Sequence, residues 1–150
     1  MTFLFTETGA VVLINLGPAG REPVMKIVLA EGRSDVRTAL RALLEEDGSL
    51  RVVAEAVDAD QVAGVLEASC PDLILLEWEI CRKRSPRVLA EWAGLCPGIQ
   101  IIAMSSDPKV GPQALAAGAR AYVCKCDSPD RLLQAVREVQ GLRGAPEREA

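Results

Sequence analysis

Four side chains with chemistry to offer stand at the ends of short apolar runs. Glu77 closes Leu73-Ile74-Leu75-Leu76, Glu31 follows Lys26-Ile27-Val28-Leu29-Ala30, Ser105 follows Ile99 to Met104, and Lys125 follows Ala121 to Cys124. An open α/β sheet keeps its ligand crevice at the carboxyl ends of its strands, so acid, hydroxyl and amine converge on one spot there. Catalysis is a poor match for this set. The chain has no His, no Gly-rich phosphate loop of the Rossmann or Walker type and no nucleophile–base pair, so it reads as a non-enzyme.

The elements that position these residues follow from periodicity. Leu73 to Leu76 is an unbroken apolar run, the pattern of a strand buried on both faces of a parallel sheet, and Lys26 to Ala30 and Ile99 to Met104 are largely apolar strands of the same kind. Arg51 to Val57 alternates in part, which suits an edge strand, and Ala121 to Cys124 makes a fifth. Between them lie helical stretches. The first is capped at Ser34 or Asp35 and carries Val36, Leu40, Leu43 and Leu44; the second is capped at Asp58 or Asp60 and carries Val62, Val65 and Leu66. A third begins at Pro86, with Val88, Leu89 and Trp92, and a short fourth runs through Gln113 to Ala117. The fifth starts at Ser128-Pro129-Asp130, buries Leu132, Leu133, Val136 and Val139, and stops at Gly141. Five alternating strands and helices predict a flavodoxin-like (βα)5 doubly wound parallel sheet of strand order 2-1-3-4-5.

Composition bounds the rest. With 150 residues and 49% apolar content, the chain suits one domain with a real core, and 3% aromatic content makes that core aliphatic. A net charge of −4, with the basic residues scattered, argues against direct nucleic-acid binding. Residues 1–24 read as a poorly ordered N-terminal arm, with an added strand as the competing reading. Its run Ala10 to Leu16 is too short to span a bilayer, and Gly17 to Pro23 reads as a linker. Residues 25–142 form the domain and 143–150 a polar tail. The five cysteines read as reduced thiols of a cytoplasmic protein. Cys124 and Cys126 lack the His or second Cys pair of a metal site, and two thiols on one face of a strand rarely reach disulfide geometry. Arg82-Lys83-Arg84 reads as a solvated loop.

The segments Pro71 to Glu77, Ile101 to Ser106, Ala114 to Lys125 and Ser128 to Leu133 together resemble the receiver domain of two-component response regulators, most of all receivers that precede helix-turn-helix output domains. The resemblance covers about Met25 to Leu142. It implies an Asp at the end of the third strand that takes a phosphoryl group from a histidine kinase, and two acidic residues after the first strand that help hold Mg2+. It also implies a Ser or Thr, a Lys and a switch aromatic. Ser105, Lys125 and Tyr122 match the last three. Taken singly, Ser105 is a strand-end hydroxyl and Tyr122 a half-buried strand aromatic.

The acceptor end departs from the pattern. Glu77 stands where the family has Asp, and its extra methylene carries the carboxylate outward by about 1.5 Å, more than a reacting geometry tolerates. The acidic pair becomes Glu31-Gly32, and after Glu77, where the family usually places Met-Pro-Gly, the chain has Ile80 to Ser85. No cofactor is expected, and at most a weak Mg2+ site at Glu31, Glu77 and Glu79. The expectation is therefore an atypical, phosphorylation-independent receiver. In it Glu77 reaches Lys125 directly, with its oxygens also near Ser105, or else the pair is merely structural. Its partners are a protein target or a second copy, met through the face of helix 4, strand 5 and helix 5. A membrane is not among them, and whether a histidine kinase is stays open. Two alternatives stay open: a working phosphoacceptor in a DNA-binding regulator whose output domain is missing, and a flavodoxin-like enzyme or ligand binder.

Overall fold

The computed structural model describes residues 2–5, 11–14, 24–82, 84 and 87–144. The linker Gly17 to Pro23, Lys83, Ser85, Pro86 and residues 145–150 of the tail lie outside them.

The strands are β1 (Thr2–Phe5), β2 (Val11–Ile14), β3 (Met25–Ala30), β4 (Leu50–Ala56), β5 (Leu73–Glu77), β6 (Gln100–Ser105) and β7 (Ala121–Cys124). The helices are α1 (Ser34–Glu45), α2 (Ala59–Ala68), α3 (Val88–Leu95), α4 (Gly111–Ala117) and α5 (Pro129–Gly144). One sheet runs β1-β2-β4-β3-β5-β6-β7. From β4 to β7 it is parallel. Counted from Met25, this is the 2-1-3-4-5 order.

Apolar side chains alternate across the sheet, as successive residues of a strand must. Ile27, Leu29, Leu73, Leu75 and Ile102 pack with Leu44, Leu132 and Val136 of α1 and α5 on one face. Val28, Ala30, Ile74, Leu76 and Ala103 pack with Val62, Leu89, Trp92 and Ala114 of α2, α3 and α4 on the other. Both faces of β3, β5 and β6 are thereby covered, which is why these strands are largely apolar.

Several boundaries differ from the sequence reading. Where residues 1–24 read as a poorly ordered arm, β1 and β2 pair antiparallel, and β2 pairs with β4 at Val11↔Glu55 and Val12↔Ala54. Strand β4 is therefore interior, not an edge. One of its two charged positions, Glu55, is explained instead by ion pairs with Arg37 at 3.1 Å and Arg41 at 3.2 Å. The N-cap of α1 is Arg33, not Ser34 or Asp35, with no side-chain capping bond. Asp58 caps α2, accepting from the Gln61 amide at 2.9 Å. Helix α5 continues to Gly144, past the stop read at Gly141. Gly118 ends α4 at φ 120°, a conformation suited to a residue without Cβ. No helix among the described residues is long and apolar enough to cross a membrane.

The cysteines also differ from expectation. Cys70 is paired with Cys96, and Cys124 with Cys126. The objection to the second pair fails because β7 ends at Cys124 and the chain turns at Lys125. Two residues of extended strand would put the Cα atoms about 6.6 Å apart; the turn brings them to 5.2 Å. Cys70 and Cys96 are 26 residues apart and meet only through the packing of α2 and α3 beside β5. Cys81 alone among the described cysteines is free, and it is buried.

Candidate functional site

Because β3, β5, β6 and β7 are parallel, their carboxyl ends open on one rim, and each delivers one polar side chain there. Glu31 follows β3, Glu77 ends β5, Ser105 ends β6 and Lys125 follows β7. Lys125 is the hub. Its Nζ donates to Glu31 Oε1 at 2.6 Å and to Glu77 Oε2 at 2.7 Å. Its backbone N–H donates to the Ser105 carbonyl at 2.8 Å, which fixes the turn against β6.

Glu31 is fully buried and held from three sides. Besides Lys125, its Oε2 accepts from the Arg33 amide at 3.1 Å, and its carbonyl accepts from Arg37 Nη1 at 2.8 Å. Burial pushes the Glu31 carboxyl above its usual range, against the pull of Lys125, and a hydrogen bond shared with Glu77 pushes it the same way. Burial acts on Glu77 too, but the bonds from Lys125 and Glu31 outweigh it and hold Glu77 below its usual value. Of the two carboxyls, Glu77 is thus the one whose charged form the site favours, and Glu31 the one whose charged form burial disfavours. Burial would lower Lys125, yet its bonds to both carboxyls raise it, so it stays an ammonium.

Ser105 belongs to a second cluster. Its hydroxyl donates to Glu79 Oε2 at 2.7 Å and accepts from the Asp107 amide at 3.0 Å. Glu79 lies in the 3-10 turn Trp78–Cys81 that follows Glu77 directly. The Tyr122 hydroxyl donates to the Asp107 carbonyl at 2.6 Å and reaches the Ser105 carbonyl at 3.3 Å. Its ring lies on Gly111, where an added Cβ would come within 3.0 Å of Cδ2. Burial pushes the Tyr122 phenol up, the nearby carboxylates Asp107, Glu79 and Asp127 add to this, and the Ser105 bond opposes it.

The structure thus unites Glu31, Glu77 and Lys125 as the sequence suggests, but separates Ser105 from Glu77. The carboxylate on Ser105 is Glu79's. Sequence reading gave Glu79 only the place of a weak metal ligand. Its position two residues after Glu77 was the available signal, but only the 3-10 turn aims it at β6. Arg33, Arg37 and Asp107, which hold Glu31 and Ser105, carry no sequence signal of their own.

These residues do not fit Mg2+. The Lys125 ammonium lies between the two carboxyls that would coordinate it, and Glu79 is turned to Ser105. No cluster of three or more His, Cys, Asp or Glu able to hold a metal occurs among the described residues. At Gly32, where a second acidic residue would stand, a Cβ would sit 3.7 Å from Glu77 Oε1. Space for a side chain exists, but the carboxylate is missing.

The family model of the response regulator receiver domain matches residues 27–137. Over 119 residues the chain is 31% identical to YhcZ of Bacillus subtilis strain 168, an uncharacterized transcriptional regulatory protein. That match covers 78% of this chain and 55% of YhcZ, so the chain spans about half the length of the curated relative. A LuxR-family two-component response regulator from Aurantimonas sp. SI85-9A1 has the same fold, with a TM-score of 0.71 at 24% identity over 79% of this chain and 86% of that one. A CheY-like receiver domain protein from Methanospirillum hungatei JF-1 gives 0.68 at 21% identity over 80% and 97%.

Proposed function

The chain belongs to the response-regulator receiver family, and we propose that it is an atypical receiver whose output is protein contact and needs no phosphoryl group. One observation carries this reading. The two side chains that would grip a phosphoryl group, Ser105 and Lys125, are already gripped by carboxylates of the chain itself. Glu77 takes the lysine and Glu79 takes the hydroxyl, so two carboxylates divide the contacts that one phosphoryl group would make. This amends the idea that Glu77 alone serves both.

The same arrangement removes the means of phosphorylation. Glu77 is charge-paired to Lys125 at 2.7 Å, which lowers its nucleophilicity. The ammonium also repels a divalent cation from the carboxyls. No step therefore runs through Mg2+. Glu79 restrains Ser105, the Ser105 to Asp107 loop holds the Tyr122 hydroxyl inward, and the ring rests on the first residue of α4. The loop and α4 are set in one state without a chemical signal.

Output then falls to the α4, β7 and α5 face, meeting a protein target or a second copy, and to no enzymatic step. Leu115 on α4 is 48% exposed and Leu142 on α5 is 53% exposed, and these are apolar side chains that the two helices offer. We place the protein in the cytoplasm on the strength of its family. The similarity to a transcriptional regulatory protein that this chain half spans supports a second reading, in which the domain serves a longer DNA-binding regulator.

The test is intact mass after incubation with acetyl phosphate and Mg2+, with an early acid quench. An unchanged mass is expected. A species heavier by one phosphoryl group, lost on Glu77→Gln, would return phosphotransfer as the mechanism.

A further inference from the structure

We propose that Cys124 and Cys126 are a redox-active dithiol/disulfide site that brackets Lys125, and that its state sets how firmly Lys125 holds Glu31 and Glu77. The pair is disulfide-linked across two residues, with Lys125 between them in the covalent ring. Cys124 is 7% exposed at the end of β7, while Cys126 is exposed in the turn. The ring is anchored on both sides, by the Lys125 amide on the Ser105 carbonyl and by the Asp127 amide on the Cys124 carbonyl at 2.9 Å. It therefore fixes the backbone from which the Lys125 side chain reaches the two carboxyls.

Two contrasts single out this pair. Cys81 is no resolving thiol, because burial pushes it up to about 12 and leaves it inert. Cys70–Cys96 joins segments 26 residues apart, away from the rim, and touches none of its residues. The inference rests on the cytoplasmic reading given above, since disulfides in that compartment are usually transient or redox-sensing.

The exchange balances with a dithiol as co-reactant. A reductant thiolate attacks the exposed Sγ of Cys126, the S–S bond breaks, and the Cys124 sulfur leaves as a thiolate that takes a proton. The reductant's second thiolate then attacks its own sulfur in the mixed disulfide, releasing Cys126 and leaving the reductant oxidised. Two electrons and two protons reach the pair; a disulfide oxidant reverses both steps. Opening the ring frees the turn, and the ammonium loosens from Glu31 and Glu77.

The full chain is equilibrated in reduced or oxidised dithiothreitol, trapped with N-ethylmaleimide, and briefly acetylated, and peptides are read by mass. Cys124 and Cys126 should be protected when oxidised and alkylated when reduced. Acetylation of Lys125 should rise about tenfold on reduction, as for loss of one charge-assisted hydrogen bond, while exposed Lys109 serves as the unchanging reference. Cys126→Ser should give the reduced level in both buffers, and Cys70→Ser with Cys96→Ser should leave the coupling intact. If a variant does not fold, the wild-type peptides still decide. Alkylation of both Cys124 and Cys126 under oxidising conditions, or Lys125 acetylation independent of redox state, would overturn the proposal. Phosphoryl uptake would overturn the functional reading alone.

Discussion

Replacing Lys125 with Met removes the ammonium that Glu31 and Glu77 share. Two carboxyls then face each other, one of them only 1% exposed and the other 15%. Breaking a buried charge pair costs about 3–5 kcal/mol, and the partial exposure of Lys125 and Glu77 puts this case at the lower end, about 3 kcal/mol at pH 7. For a chain of this size, that lowers Tm by about 6–12 °C. The loss comes mostly from charge left unpaired, so neutralising all three groups should restore stability. Glu31→Gln, Glu77→Gln and Lys125→Met together should lie within about 1 kcal/mol of wild type. The sign with pH follows. Without the ammonium both carboxyls have folded pKa values above their unfolded ones, so their protonated forms favour the fold. The deficit should shrink as pH falls toward about 4 and be full at neutrality. Urea denaturation across this range checks both statements. A Lys125→Met protein within about 0.5 kcal/mol of wild type at pH 7, with no pH dependence, would refute the coupled cluster.

Three further outcomes follow. Glu77 is held below its usual value when folded. The stability it contributes is therefore present above its unfolded pKa and lost as pH falls through the lowered folded one. Glu77→Gln should cost stability at neutral pH and little in acid, read by the same denaturation series. Glu31 is raised, so its contribution is full at low pH and lost as pH climbs through the folded value. Relative to wild type, Glu31→Gln should therefore gain stability with rising pH. Finally, Gly32→Asp with Glu77→Asp restores the missing carboxylate and shortens the acceptor, and calorimetry should show Mg2+ binding strengthened about tenfold or more over wild type.

The parallel sheet was legible because strands buried on both faces carry unbroken apolar runs, and Leu73 to Leu76 and Ile101 to Met104 can hardly be read otherwise. The carboxyl-end residues were legible for the same reason: once the strands end at Ala30, Glu77, Ser105 and Cys124, topology alone gathers Glu31, Glu77, Ser105 and Lys125. Pairing partners were not. Val11 to Ile14 is visibly apolar, yet nothing local says that it will lie antiparallel on β4, and Glu55 of β4 mimics an edge charge while pairing with Arg37 and Arg41. Cys124 and Cys126 were misjudged because their pairing depends on where the strand stops, a matter of one residue. Glu79 was undervalued because a carboxylate two positions after Glu77 points elsewhere on an extended chain, and the 3-10 turn redirects it.

Tyr122 is the chain's single tyrosine, and its hydroxyl reports the Ser105 to Asp107 loop directly. Fluorotyrosine incorporation followed by 19F NMR, during titration with Mg2+ and then beryllofluoride, asks whether the switch is already occupied. One resonance that stays in place through the titration, but moves in Glu79→Ala, is the predicted result. A saturable shift of the wild-type resonance on adding beryllofluoride would contradict it, because the site would then still accept a phosphoryl group.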